Sequence, residues 1–207
     1  MLSFLDRVQA AGFLIVALTL IETFVIPPSY FKLGSIVSTV CMVCVTVLLV
    51  KYKDLFKPSL RNLGMGLASA ALLYGIFLLG NFAIKNYSIP FLTVSSKDEY
   101  SIYSLIGGGP LYSRVVVLAL DSVGFESYFR GNLLNYFRLR MRVGAAFLSA
   151  GVDALIHFSS FNPLFVITTL IADSAWGVTY YYTQDLSSCV LSHFVWDVAI
   201  FIVAPIR

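Results

Sequence analysis

The sequence predicts an all-α fold, a polytopic transmembrane helical bundle of about seven helices. Three observations carry that reading. Of 207 residues, 58% are hydrophobic and only 12% charged, whereas a soluble domain uses roughly 25% charged residues to keep its surface wet; mean hydropathy is +0.85. The apolar residues fall into blocks close to the ~20-residue length that crosses a bilayer. The acid–base side chains of note lie inside those blocks, where an ionisable group is costly and marks a functional position.

Measured against that span, the segments run roughly 9–27, 33–50, 62–84, 112–137, 143–160, 164–183 and 187–205. The first has the apolar character of a secretion signal. Glu22 lies inside it, however, Pro27-Pro28 ends it, and no small-residue cleavage pattern follows, so it is expected to be a retained helix. The second and third are joined by a loop holding Lys51, Lys53, Lys57 and Arg61. A second basic loop, with Arg138, Arg140 and Arg142, follows the fourth segment. Two crossings separate these loops, so both fall on one side, which is cytoplasmic by the preference of Lys and Arg for that face. The N-terminus is then inside, and the 85–111 connection and Arg207 outside, in what is expected to be the cell membrane.

The 85–111 connection is the one long polar interval, with Lys97-Asp98-Glu99 and Gly107-Gly108-Gly109-Pro110. No Lys-Ser pair follows the glycines, so they read as a flexible lead into the fourth segment and not as a phosphate cradle. The interval divides the chain into residues 1–111, N-terminal helices and outer loop, and residues 112–205, a C-terminal domain with both histidines. Cys41 and Cys44 have C-x-x-C spacing but sit in an apolar run without a strand–helix redox context, and Cys189 leaves the count odd; they read as small buried hydrophobes. The basic residues belong to the cytoplasmic loops, so a net charge of +3 gives no sign of nucleic-acid binding.

The fourth segment carries Glu126 and Arg130 at i, i+4, close enough on one helix face for an ion pair that lowers the cost of burying either charge. Asp121 precedes them on the same face as Phe125. Asp153 and His157 repeat the i, i+4 spacing in the fifth segment, and His193 and Asp197 repeat it in the seventh. Two histidines, each with a carboxylate one turn away, point to a polar cavity between helices. A carboxylate beside an imidazole fixes its tautomer and raises its basicity, as a general base requires. Tyr180-Tyr181-Tyr182 and Trp196 suit an interfacial belt or helix packing.

The ordered motifs Phe125–Gly131 (FESYFRG), Asp153–His157 (DALIH) and Ser192–Asp197 (SHFVWD) resemble those of the CPBP intramembrane protease family, which includes CAAX prenyl endopeptidases and bacteriocin-processing or self-immunity proteins. That family's motifs are E-E-x-x-x-R, F-x-x-x-H and H-x-x-x-N or H-x-x-x-D. The resemblance covers about residues 112–205, and Gly177–Ser187 is similar to the family's turn before its last motif. It implies a glutamate-dependent endopeptidase acting on a membrane-associated peptide or prenylated protein. His157 matches the water-activating histidine, His193 and Asp197 the oxyanion pair, and Glu126 and Arg130 the second glutamate and the arginine of the first motif.

Two positions depart from the pattern. Phe125 stands where the family has its water-activating glutamate, and Asp153 where Phe is usual. Glu126 points about 100° away from Phe125 on an α-helix and does not fill the vacated place. Asp153, one turn from His157, is expected to supply the lost carboxylate in preference to Asp121. In the resulting scheme His157, assisted by Asp153 or Glu126, activates water and His193 meets the oxyanion. Asp197 must then be protonated or serve to orient His193. Seven straight crossings would put His157 near the outer end and His193 near the inner end, about 10 Å or more apart, so the fifth or seventh segment must be short, tilted or re-entrant.

No cofactor is expected. Zinc is the alternative, with His157, His193 and two carboxylates as ligands drawn from several helices; there is no H-E-x-x-H helix to favour it. Two other function classes fit the composition. One is a relative that has lost catalysis and binds membrane peptides in the same pocket. The other is a small proton-coupled carrier with Glu22, Asp121, Asp153 and Asp173 as its relay, for which no inverted repeat is evident.

Overall fold

The computed structural model describes residues 4–87 and 96–206. Among them the order is α1 (Phe4–Val25), α2 (Phe31–Leu49), α3 (Leu60–Asn86), α4 (Ser96–Ile106), α5 (Leu111–Phe125), α6 (Asn135–Met141), α7 (Gly144–His157), α8 (Pro163–Thr183) and α9 (Leu186–Val198). A π-helical segment, Glu126–Leu134, joins α5 to α6 without a break, and a second, Ala199–Val203, extends α9. Local chemistry sets several boundaries. The Ser59 hydroxyl caps α3 by accepting from Asn62 N–H, Asn162 caps α8 ahead of Pro163, and the Asp185 carboxylate caps α9.

All seven apolar segments read from the sequence are helical. Asp6–Val25, Phe31–Leu49, Leu60–Asn86 and Leu186–Val203 are long and apolar enough to cross a membrane by themselves. The remaining three, together with Leu186–Val203, carry the buried acid–base residues described below. At 14 residues α7 is about 21 Å long, less than the ~30 Å of a hydrocarbon core, so it is the short segment the positions of the histidines required. The outer face is apolar: Leu18, Leu48, Leu72 and Leu79 are all more than half exposed, which suits a chain solvated by lipid.

Two readings of the sequence need correction. The 85–111 connection is not simply a flexible lead, because Ser96–Ile106 forms α4, whose Ile106 packs with Phe31, Val117 and Leu118. Averaging over a span-length window hides such a short one-sided helix. Residues 88–95 of that connection, and Arg207, lie outside the described residues. In the stretch compared with a turn, Gly177–Thr183 continues α8; the chain reverses only at Gln184, whose φ is 51°, and Asp185.

The two basic loops do share one end of the bundle. Leu55, from the loop after α2, packs with Leu134 and Leu186, and Lys57 N–H donates to Asp185 at 2.8 Å. Tyr136 donates to Asp6, placing the start of α1 at the same end.

Helices that surround the polar interior approach closely at glycine. A Cβ on Gly177 would lie 2.9 Å from the Ala146 Cβ, at the contact of α8 with α7. One on Gly66 would lie 2.4 Å from the Ser188 carbonyl, where α3 meets α9. With no hydrophobic drive between helices in lipid, such close packing is what holds them together. Gly66→Ala is therefore expected to destabilise the protein by about 1–3 kcal/mol through overpacking. Gly75→Ala, at a position where an added Cβ meets nothing within 4 Å, stays within about 0.5 kcal/mol. Thermal unfolding in detergent compares the two.

Candidate active site

The π-helical segment organises the site. Hydrogen bonding i to i+5 widens the helix, and single-turn π segments recur at functional positions because they re-aim side chains. All nine residues from Glu126 to Leu134 are buried. Side chains compensate its irregular backbone: Ser149 of α7 donates to the Phe129 carbonyl at 2.8 Å, and Asn135 to the Gly131 carbonyl at 2.9 Å. Gln9 of α1 donates to Asn132 at 3.2 Å. The i, i+4 geometry expected of an α-helix is thus realised on a wider one, and Glu126 still meets Arg130.

Arg130 is 1% exposed and is held by two acids. Its Nε lies 3.1 Å from Glu126 Oε2, and its Nη2 lies 2.7 Å from Asp173 Oδ1 and donates to the Asp173 carbonyl at 3.1 Å. The guanidinium carbon also lies 5.6 Å from the Trp176 ring centroid. Asp173 was read from the sequence only as a carrier-relay residue. Its pairing with Arg130 is invisible there because 43 positions separate them.

The two histidines reach one cavity from opposite walls. His193 Nδ1 lies 2.8 Å from Glu126 Oε1, and its ring stacks on Trp176 with centroids 3.9 Å apart and planes 15° apart. Its Nε2 faces Asp197 Oδ2 at 3.5 Å, longer than the ~2.7–2.9 Å of a tight charge-assisted hydrogen bond. His157 Nδ1 lies 2.9 Å from the Asp153 carbonyl and 3.1 Å from Asp153 Oδ1. The Asp153 backbone carbonyl is the acceptor beside Nδ1, which assigns the proton to that nitrogen and leaves the lone pair on Nε2, while Asp153 Oδ1 lies near the same nitrogen without a hydrogen bond from it. Nε2 has no hydrogen-bond partner among the described residues. The ring is packed by Phe24 and Phe165, each with centroids 4.9 Å away.

Phe125 stands between the two imidazoles, its ring centroid 6.1 Å from His157 and 6.2 Å from His193. It stacks on Phe129 at 5.8 Å. Glu126 points away to His193 and Arg130, so the neighbouring glutamate does not fill the place of Phe125, as the helical argument required. Asp121 is engaged elsewhere: it accepts from Ser35 and from Thr39 (3.1 Å) on α2. Glu22 is exposed on α1 and lies apart from these carboxylates.

Asp121, Phe125, Asp153, His157, His193 and Asp197 line a cavity of about 540 Å³, whose wall is largely apolar, with Phe24, Phe31, Ile76 and Phe77, and also holds Thr23, Asn81 and Lys85. No three His, Cys, Asp or Glu side chains come together as a metal-ligand set among the described residues.

Residues 107–199 match the family model described as type II CAAX prenyl endopeptidase Rce1-like. The match covers less than half of the chain and agrees with the resemblance to the CPBP family. No curated protein and no solved structure matches the chain. The Rce1-like match spans α5 to α9 and includes all six candidate residues, Glu126, Arg130, Asp153, His157, His193 and Asp197. The family is one of membrane proteases, and the apolar helices make this chain an integral membrane protein.

Removing the Arg130 guanidinium would strand Glu126 and Asp173 in a dry interior. Arg130→Met is expected to cost about 3–5 kcal/mol. Arg130→Lys rescues little of it, because a single ammonium cannot serve two acids through separate nitrogens as the planar fork does. Thermal melts of the purified variants read both effects.

Proposed function

We propose that the protein is an intramembrane endopeptidase in which His157, oriented by Asp153, activates water. The observation that carries this is the tautomer of His157: with Nδ1–H committed to Asp153, the Nε2 lone pair is left for a water in the cavity. That water loses a proton to Nε2 as its oxygen bonds to the peptide carbonyl carbon. The same proton then passes to the peptide nitrogen as the C–N bond breaks. His193, as the imidazolium, presents Nε2–H to the developing oxyanion. The 3.5 Å separation from Asp197 leaves that donor loosely held, and the substrate oxygen takes it over. Glu126 and Arg130 position His193 and do not touch the substrate.

The apolar walls suit a membrane-associated peptide or a prenylated protein. The reaction needs no cofactor, and the basic end of the bundle, with the N-terminus, faces the cytoplasm of the cell membrane. A second reading has its own observation. The Phe125 ring occupies the space between the histidines, as suits a relative that has exchanged catalysis for binding a membrane peptide.

Cleavage of lipid-embedded peptides, prenylated CAAX sequences among them, separates the two. The peptidase reading expects turnover by the wild type, a fall of about 10²–10⁴-fold in His157→Ala and Asp153→Asn, and no change with chelator. If the folded wild type cuts nothing and Phe125→Glu confers cutting, the domain is a binder.

A further inference from the structure

The His193 ring rests on Trp176 of α8, with centroids 3.9 Å and planes 15° apart. Trp176 is 2% exposed, and three contacts fix it in place. Its Nε1–H donates to the Ser192 hydroxyl at 3.0 Å, its carbonyl accepts from Cys189 Sγ at 3.4 Å, and Trp196 packs edge-on at 5.6 Å. Ser192 and Cys189 are both buried and belong to α9, the helix that carries His193. Such a stack acts on one particular freedom. The χ2 torsion of histidine is broad and roughly two-fold, so the helix backbone alone settles neither the plane of the ring nor which edge points where. Glu126 selects the edge by meeting Nδ1 at 2.8 Å. Phe125 meets the ring only edge-on, at 6.2 Å. The plane is left to the indole.

We propose that Trp176 is the positioning residue that sets the plane of the His193 imidazole, so that a ring held at Nδ1 by Glu126 delivers Nε2 to Asp197 and the cavity. The indole acts through the histidine, because so nearly buried a ring offers a substrate almost no surface to touch. The Arg130 guanidinium carbon lies 5.6 Å from the centroid of the same indole, so one aromatic ring serves both the buried cation and the imidazole. The consequence for turnover rests on the peptidase reading, in which Nε2–H meets the oxyanion; the setting of the ring does not.

Magnetic resonance of the protein in lipid nanodiscs, with isotope-labelled histidine, tests the ring without turnover. The chain has two histidines, so His193→Gln and His157→Gln assign every signal. The Nδ1–H of His193, held by Glu126, is expected as a downfield proton resonance in the wild type. Trp176→Leu keeps apolar volume but loses the flat face; it should broaden or abolish that resonance. Trp176→Phe keeps a flat face and should restore it. Persistence of the resonance in folded Trp176→Leu would show that Glu126 holds the ring unaided and would overturn the proposal, as would equal loss in the Leu and Phe variants. Should Trp176→Leu fail to fold, fluorescence decides. The chain has two tryptophans, so Trp196→Phe leaves Trp176 as the one indole. Its emission should rise in His193→Gln, where no imidazole quenches it, and stay unchanged in His157→Gln; no rise in His193→Gln overturns the stack. Where the wild type cleaves peptide, Trp176→Leu should lower kcat by about 10²-fold with KM within about threefold, and Trp176→Phe should recover most of kcat. A loss confined to KM would overturn the positioning role in turnover. A wild type that cuts nothing removes the peptidase reading, and the Nδ1–H resonance still decides what sets the ring.

Discussion

The polar interior depends on one buried cation. Arg130 has almost no solvent around it, and its cost is offset only because Glu126 and Asp173 approach from different elements and Trp176 offers a ring face. That arrangement draws α8 toward the π-helical segment and directs Glu126 to His193. Guanidinium geometry matters here, since two nitrogens on one rigid plane satisfy two acids at once. Without this cation, Glu126 and Asp173 would be left as buried acids with no opposite charge between them.

Around that centre the π-helical segment reconciles two demands. It must keep its carbonyls satisfied in a membrane, and it must turn Glu126 and Arg130 into the interior while Phe125 faces the cavity. Hydroxyl and amide donors from Ser149 and Asn135 meet the first demand. The second leaves an aromatic ring between two imidazoles, where the family places a carboxylate. The acid function has not vanished from the neighbourhood: Asp153 lies against His157 from the adjoining helix, at a position where the family carries an aromatic residue.

The depth of the two histidines shows how a short helix alters a site. Seven full crossings would hold His157 and His193 at different levels. Because α7 has only 14 residues and ends at His157, both rings come within about 6 Å of Phe125, and one cavity serves both.

The sequence by itself determined the helical class, the seven apolar segments, the three ordered motifs and each i, i+4 pair of acid with base. Those properties are carried by local spacing: apolar block length answers to bilayer thickness, and a one-turn separation places two side chains together whatever surrounds them. It did not reveal α4, because a short helix with a single apolar face is diluted in a polar window. It did not reveal the π geometry either, since residues of that segment are compatible with an α-helix until side chains from α7 meet its carbonyls. Only the tertiary structure decided that Glu126 serves His193 and not His157, that Asp121 is bound to Ser35 and Thr39, and that Asp173 pairs with Arg130. These are contacts between helices far apart in the chain. Their partners are chosen by packing distance and by the need of each buried charge for an opposite one, which no local pattern records.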